Sequence, residues 1–296
     1  MKIVCLDAAT LGGDADLSEI ASLGEFESYE MTEPAQTAQR LAGADVVITN
    51  KVLITDEIMA QTALKLICVS ATGTNNIDMQ AAQARGIAVK NAAGYSTQSV
   101  VQQTFASLFA LTNALGYYAD YGGSGKWCES EIFTHIDAPI SEIYGKEFGV
   151  IGLGQIGAKV ARIAAAFGAN VRFFSTSGAN DNGEFARVSL DALLRACDIV
   201  SIHAPLNQKT AELIGEAELA KMKEGAILMN FGRGGIVDED ALARAVDKRG
   251  LRTALDVLQT EPMRADHPLL RVKNRRNVVI TPHIAWASVE ARKRLI

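Results

Sequence analysis

What this 296-residue sequence has little of already narrows what it can be. Cysteine occurs four times, at Cys5, Cys68, Cys128 and Cys197, and no two form a CxxC pair. Cys5, Cys68 and Cys197 lie in or beside apolar runs, which reads as free thiols in a reducing compartment rather than a disulfide framework or a zinc site. Histidine also occurs only four times. No His/Cys/carboxylate cluster has metal-ligand spacing, so no metal is expected. No apolar run reaches the roughly 18 residues of a membrane span. The formal net charge is -5, and the densest basic group, Lys273, Arg275 and Arg276, is broken by Asn274 and reads as a solvated loop. Neither nucleic acid nor an anionic membrane is an expected partner. Low-complexity tracts are missing too. Met1-Lys2-Ile3-Val4 opens straight into a strand-like run with no signal peptide before it, so a cytoplasmic location is expected.

What is present is an ordinary globular composition, 48% hydrophobic and 21% charged. At about 100–200 residues per domain, the length suggests two domains. Short apolar runs alternate with longer Ala-rich segments. The early runs are Ile3-Val4-Cys5-Leu6, Val46-Val47-Ile48, Leu66-Ile67-Cys68-Val69 and Ile87-Ala88-Val89. Nearly continuous apolarity between Gly, Asp or Asn boundaries is how parallel strands read when helices cover both faces. Asp56 to Leu64 and Asp78 to Arg85 read as intervening helices. A long helix is expected from about Gln98 to Tyr118, then an irregular segment through Gly122-Gly123-Ser124-Gly125-Lys126-Trp127. The Gly-Lys pair there is no phosphate loop, since it lacks the following Ser/Thr and the preceding strand. A second series starts at Phe148-Gly149-Val150-Ile151. It continues with strands at 171–174, 199–202, 226–229, 252–255 and 278–280. The expected fold is α/β, two doubly wound parallel-sheet domains with a cleft between, one Rossmann and one flavodoxin-like.

Gly152-Leu153-Gly154-Gln155-Ile156-Gly157 is a G-x-G-x-x-G. The pattern alone is weak, but here it follows a strand and opens an Ala-rich helix, Ala158 to Phe167. Gly152 permits the tight turn, Gly154 lets backbone approach a pyrophosphate, and Gly157 lets helix and sheet pack closely. The helix N-terminus offers unpaired N–H groups and partial positive charge to phosphates. An NAD site usually has Asp or Glu at the end of the next strand, on the ribose 2′-OH. Here Phe174 is followed by Ser175-Thr176-Ser177-Gly178. No carboxylate would repel an NADP 2′-phosphate, and no adjacent Arg would clamp one. NAD or NADP is therefore expected, with relaxed or NADP-tolerant specificity.

Three polar residues come just beyond later strands: Arg233 after Met229-Asn230-Phe231-Gly232, Glu261 after Leu255-Asp256-Val257-Leu258, and His283 after Ile280-Thr281-Pro282. Together with Ala71-Thr72-Gly73-Thr74-Asn75-Asn76-Ile77-Asp78 and His203-Ala204-Pro205-Leu206, these motifs resemble the D-isomer-specific 2-hydroxyacid dehydrogenase family along essentially the whole chain. Pro282-His283-Ile284-Ala285-Trp286 points within it to the glycerate dehydrogenase/hydroxypyruvate reductase group. The resemblance implies an NAD(P)-dependent oxidoreductase acting at C2 of a small D-2-hydroxy or 2-oxo acid, of glycerate/hydroxypyruvate or glyoxylate type.

The residue types suit that chemistry. Histidine, with an ordinary pKa of about 6.5, exists in both forms near neutrality, so His283 is the candidate acid/base. Glu261 would pair with it and fix which ring nitrogen faces substrate. Arg233 can grip a carboxylate with forked donors. The resemblance adds the backbone around Thr72 and Gly73 as a second carboxylate anchor. It implies Asp256 at the nicotinamide carboxamide and Thr104 beside the nicotinamide. The expected cofactor contacts are Gly152, Gly154, Gln155, Ile156, Gly157, Ser175, Thr176, His203, Ala204, Pro205, Phe231, Asp256 and Thr104. His135, His203 and His267 show no matching carboxylate context, so His203 is expected on the cofactor side and the other two as structural or exposed. Trp286 is expected in the core or a cleft wall. Substrate selectivity is expected from first-domain loop residues near Asn50, Lys51 and Tyr95.

In the family the substrate domain is discontinuous, implying residues 1–98 with 285–296 here, and a Rossmann domain over 99–284. The final helix, Ser288 to Ile296, is short for the family. The segment 116–143, with Tyr117, Tyr118, Tyr121, Trp127 and Phe133, corresponds to the family's dimer contact, so a homodimer is expected. Alternative readings are a related phosphite or formate dehydrogenase, or a cofactor-sensing corepressor-type binding protein. Formate dehydrogenases pair the catalytic histidine with Gln, so Glu261 argues against formate.

Overall fold

A computed structural model describes residues 1–179 and 183–296. The chain divides into two compact units, Met1–Ser96 with Ala287–Ile296, and Thr97–Trp286. Both are parallel α/β sheets.

The first unit holds five strands: β1 (Lys2–Cys5), β2 (Glu25–Ser28), β3 (Val46–Thr49), β4 (Leu66–Val69) and β5 (Ala88–Asn91). Their order is β2-β1-β3-β4-β5, and every pairing is parallel. The strand β2 was not expected from sequence. Its sequence, Glu-Phe-Glu-Ser, lacks the apolar run of a doubly covered strand because it forms the sheet edge, where neither end residue is buried. Val4, Val47 and Ile67 on the central strands are wholly buried. The helices are shorter than the apolar patterning suggested, Asp56–Ala60 and Met79–Ala84. Each starts on a side-chain cap, Thr55 for the Ile58 N–H and Asp78 for the Ala81 N–H, and such a cap is worth about 1 kcal/mol. Asp7, at the end of β1, is buried without a cation. Its carboxylate accepts the Thr49 hydroxyl and the backbone N–H groups of Asn50, Lys51 and Val52. That fixes the loop carrying Asn50 and Lys51, two of the residues expected to set selectivity. At the far end of the chain, Arg292 is bound to Asp14 and Leu11 O, tying the helix Val289–Leu295 back onto this unit.

Among the described residues the second unit has seven strands: β6 (Glu147–Ile151), β7 (Asn170–Phe174), β8 (Ala186–Arg187), β9 (Ile199–Ile202), β10 (Ile227–Asn230), β11 (Arg252–Leu255) and β12 (Val278–Ile280). The order is β12-β11-β10-β9-β6-β7-β8, all parallel. Reading outward from β6, this is the doubly wound order with its switch point between β6 and β9, where ligands of such sheets bind. The two-residue edge strand β8 was also unexpected, being too short and too polar to show a pattern. Phe148 and Phe173 are wholly buried beside Val150 and Ile199. Burial of one such side chain contributes about 1.5–3 kcal/mol. Gly149 gives helix packing its room, since a Cβ there would stand 2.6 Å from Leu193 Cδ2.

The expected single helix from Gln98 to Tyr118 is two helices, Thr97–Thr112 and Leu115–Gly123. The break falls at Ala114, whose φ of 47° is left-handed. No Gly or Pro marks it, so local sequence does not announce it. Beyond it, Tyr117, Tyr118 and Tyr121 are half-buried around His135, which stacks on Tyr121 at 3.7 Å and meets the Tyr117 hydroxyl at 2.7 Å. They pack on one another and on the His135 ring. Trp127 and Phe133 are exposed, as are Ile132, Ile136 and Ile140. Cys5 and Cys197 are buried, Cys68 is half-buried, Cys128 is exposed, and all four are free thiols. Burial pushes the Cys197 thiol up to about 12, so it behaves as a core side chain rather than a nucleophile. No helix among the described residues is long and apolar enough to cross a membrane.

Candidate active site

The carboxyl ends of β6, β9, β10, β11 and β12 carry the polar loops of the second unit. The glycine turn comes first. Gly152 has φ 90°, and a Cβ there would press within 3.0 Å of Ala204 backbone. At Gly157 a Cβ would fall 2.1 Å from Gly152 O, so only glycine lets the helix Gln155–Ala166 start against the turn. Gly154, the helix N-cap, differs: a Cβ there would meet nothing within 4 Å. Protein packing does not require glycine at this point, and the bare backbone faces open space at a helix N-terminus. That is the cradle a pyrophosphate needs. Gln155 and Ile156 begin the helix. Across the turn, Ala204 and Phe231 are buried, and the His203 ring stacks on Phe231 at 6.4 Å. His203 Nε2 lies 2.8 Å from Ser201 Oγ, while its Nδ1 is buried with no partner in the structure. The residue as a whole is half-buried, and burial lowers its pKa to about 3. His203 is thus a neutral ring. These features fit a dinucleotide.

The strand β7 ends at Phe174, and Ser175 behind it is buried. No arginine adjoins this loop in sequence, but one comes near it in space. Arg187 on the neighbouring β8 sits opposite Phe173, and its Nη2 comes within 3.9 Å of a Cβ built at Gly178. Twelve residues of chain separate it from Ser175, so only strand pairing makes them neighbours. Thr104 is fully buried and gives its hydroxyl to Val100 O at 2.8 Å, within its own helix.

The loop after β10 is held by Asn230. Its Oδ1 accepts the Gly232 N–H at 3.0 Å, and its Nδ2 donates to Arg233 O at 2.8 Å. Arg233 donates from Nη1 to Gly232 O at 2.8 Å. Among the described residues no carboxylate pairs with it, so its charge is available to an anion. Gly234 follows, where a Cβ would collide with Leu258 O at 1.8 Å. Glycine therefore lets the Arg233 loop lie directly on the loop after β11. In that second loop Glu261 Oε1 accepts the Leu258 N–H at 2.9 Å. Its other oxygen, Oε2, lies 2.6 Å from His283 Nδ1. Both side chains are about 30% exposed, His283 28% and Glu261 31%. With Nδ1–H on the carboxylate, Nε2 is the nitrogen left for a substrate.

Asp256 has a role not read from sequence. It is buried, and its Oδ1 accepts the Thr281 hydroxyl at 2.5 Å and the Ile284 N–H at 3.0 Å. Its Oδ2 accepts the Ala285 N–H at 2.9 Å, and its carbonyl accepts the His283 N–H at 2.9 Å. The turn holding His283 is thus wrapped around one side chain. The sequence offered an Asp just past a strand end, but not its partners. His267 also departs from expectation. It does have a carboxylate, Glu239 Oε2 at 2.8 Å, and both are nearly buried. His135 lies 3.6 Å from Asp137. Trp286 is half-buried. Among the described residues no group of three metal-ligating side chains occurs.

Thr72 and Gly73 belong to the first unit, in the loop after β4. Thr72 donates its hydroxyl to Ala92 O at 3.1 Å, and its carbonyl accepts from Asn91 Nδ2 at 2.6 Å. These bonds fix the loop, and the Thr72 and Gly73 N–H groups have no acceptor among the described residues.

Comparison with known proteins agrees with this geometry. Residues 105–285 match the family model for the NAD-binding domain of D-isomer specific 2-hydroxyacid dehydrogenases. A putative 2-hydroxyacid dehydrogenase of Haemophilus influenzae is 40% identical, with 100% of this chain and 95% of that one covered. A hydroxypyruvate reductase of Blautia hydrogenotrophica is 36% identical (100% and 94%), and a glycerate dehydrogenase of Methylorubrum extorquens 37% (99% and 92%). Among solved structures, a Thermus thermophilus protein aligns with TM-score 0.89 at 32% identity, covering 100% of this chain and 93% of that one. An acyclic imino acid reductase solved with NADPH and D-Arg aligns with TM-score 0.85 at 31% identity (100% and 93%). The chain belongs to the D-isomer specific 2-hydroxyacid dehydrogenases, nicotinamide-dependent oxidoreductases of 2-hydroxy acids.

The contrast between two glycines is testable. Gly157→Ala should destabilise by about 1–3 kcal/mol, because its Cβ overpacks the turn. Gly154→Thr replaces one acceptable cap with another, so its Tm should stay within about 2 °C of the parent. Its Kd for NADH should nevertheless rise about tenfold or more, a loss of roughly 1.4 kcal/mol. Fluorescence titration and thermal melts read both; unchanged NADH binding by Gly154→Thr would refute the cradle.

Proposed function

We propose that the chain reduces the C2 carbonyl of a small 2-oxo acid, glyoxylate or hydroxypyruvate, and oxidises the matching D-2-hydroxy acid. The observation that carries this reading is the 2.6 Å His283–Glu261 bond, one loop away from an arginine that no described carboxylate neutralises. Bound NADH or NADPH supplies the hydride at C2, and the oxidised cofactor accepts it. Arg233 holds the substrate carboxylate and polarises the carbonyl oxygen. His283 gives the Nε2 proton to that oxygen during reduction and takes it back during oxidation. Glu261 keeps Nδ1–H occupied and stabilises the charged ring. In the family's pattern, backbone N–H groups at Thr72 and Gly73 add a second carboxylate anchor, and Thr97–Trp286 is the coenzyme unit. Asp256 serves chiefly as the clamp of the His283 turn. Four free thiols suit a reducing, cytoplasmic setting.

Turnover should appear in a panel of 2-oxo acids assayed with NADH and NADPH. His283→Ala should lower kcat roughly 10²–10⁴-fold with NADH binding retained. Turnover confined to formate or phosphite would overturn the substrate class, and near-normal kcat in the variant would overturn the proton donor.

Specificity between the cofactors is proposed to be relaxed, with Arg187 and the hydroxyls of Ser175, Thr176 and Ser177 at the 2′-position. Arg187→Ala should cut kcat/KM for NADPH about 10–100-fold, the worth of a charged hydrogen bond, and leave NADH unaffected. An NADH preference above about a thousandfold in the parent, roughly 4 kcal/mol, would remove the basis for this.

The exposed Trp127, Ile132, Phe133, Ile136 and Ile140 support a homodimer formed through segment 116–143. Sedimentation at micromolar concentration should give twice the chain mass, and Phe133→Asp should shift it to the monomer.

A further inference from the structure

Behind the Glu261–His283 pair lies a second carboxylate–histidine pair that the reaction as described does not use. Glu239 is the first residue of the helix Glu239–Arg249, where a negative charge is favoured by the helix N-terminus. His267 caps a 3-10 turn, its Nδ1 accepting the Leu269 N–H at 3.3 Å. An Nδ1 that accepts must carry a lone pair, so the proton of the neutral ring is on Nε2. That N–H donates to Glu239 Oε2 at 2.8 Å. The other carboxylate oxygen, Oε1, accepts the Gln259 N–H at 2.7 Å. The side chains are only 6% and 11% exposed. Of the other charges nearby, Asp238 caps the Ala241 N–H, Arg264 pairs with Asp266, and Asp240 lines the same cavity as Glu239 and His267.

The peptide between Leu258 and Gln259 therefore has fixed partners on both sides. Its N–H is held by Glu239. Its carbonyl oxygen is the atom that a Cβ on Gly234 would strike, so the Arg233 loop lies against it. One residue earlier, the Leu258 N–H is the anchor of Glu261 Oε1. Two carboxylates thus hold consecutive N–H groups, one from within the site and one from behind it.

We propose that the Glu239–His267 pair is a positioning element of the reaction: it fixes the Leu258–Gln259 peptide and, through it, both the carboxylate facing His283 and the loop bearing Arg233. The inference rests on the roles proposed above for those three residues. Glu239 and His267 touch neither substrate nor cofactor in it. His267 orients Glu239, Glu239 fixes one peptide, and that peptide sets where Glu261 and Arg233 stand.

His267→Asn tests this, because the Asn oxygen can still cap Leu269 while nothing reaches Glu239. His267→Gln can return an amide N–H toward Glu239. Glu239→Gln is the independent variant, since it keeps volume and an acceptor for Gln259 but sets an amide donor against the His267 N–H. We expect His267→Asn and Glu239→Gln to lower kcat roughly 10–100-fold, the scale of a small misplacement of reacting groups. NADH affinity should be unchanged, and His267→Gln should recover much of the loss. The alkaline limb of kcat/KM for reduction should move to lower pH in the impaired variants. A readout free of turnover is the downfield proton resonance of His283 Nδ1–H, assigned by its loss in His283→Gln. It should broaden or vanish in His267→Asn. A folded His267→Asn or Glu239→Gln with parental kcat, pH profile and resonance, differing only in Tm, would overturn the proposal. If the parent turns over no 2-oxo acid, the functional reading fails, while the resonance still decides whether the pair holds Glu261 on His283.

Discussion

A turn that sets a histidine at φ 52° does not arise from local preference. The left-handed region costs a non-glycine residue about 1–3 kcal/mol unless its surroundings impose it. Here the imposing group is Asp256. Both of its carboxylate oxygens and its carbonyl accept from residues 281–285, which leaves the turn one arrangement. The direction of the His283 ring, its bond to Glu261 and the nitrogen it presents all follow from that anchor. A buried carboxylate satisfied by a hydroxyl and backbone N–H groups needs no cation. Its charge is spread over donors that cannot leave, which is a rigid way to hold the histidine proposed to transfer the proton.

The same economy runs through neighbouring loops. Strands β10, β11 and β12 are adjacent in the sheet, so the loops that leave their carboxyl ends lie side by side. Asn230 knots the first, Glu261 closes the second on Leu258, and Asp256 winds the third. Gly234 removes the last spacing between the first two. Groups separated by about fifty residues of sequence become parts of one polar scaffold. Orientation of this kind is where much of a hydride-transfer enzyme's advantage over solution arises.

The sequence showed interior strands clearly, since β1, β4, β9 and β10 are largely apolar runs. It did not show β2 or β8, because an edge strand needs no second apolar face and two residues make no pattern. The glycine turn was legible by type and spacing, and the structure separates its members: Gly157 answers to packing, Gly154 to open space. Arg233, Glu261 and His283 stood out as candidates because each lies in the loop after a strand. Arg187 did not, since its nearness to Gly178 exists only through the β7–β8 pairing. Asp256 was named for another role, and its hold on the His283 turn, like Glu239, escaped for a related reason: the work is done largely through backbone N–H groups, and any residue can supply one. Ala114 offers no chemical reason for the helix to break there, and its conformation is visible only in three dimensions.

The polar loops described in the second unit leave the carboxyl edge of its sheet. The opposite edge is built from tight turns that enter the strands, among them Lys223-Glu224-Gly225 before β10 and Arg249-Gly250 before β11. Both glycines are left-handed, and side-chain-sized space is open around each. The sheet thus separates a face where a shift of an ångström disturbs chemistry from one that answers only to chain closure. Inserted residues, an attached label or new chain ends at the second face would be felt as entropy of the connection rather than as a change in reactivity.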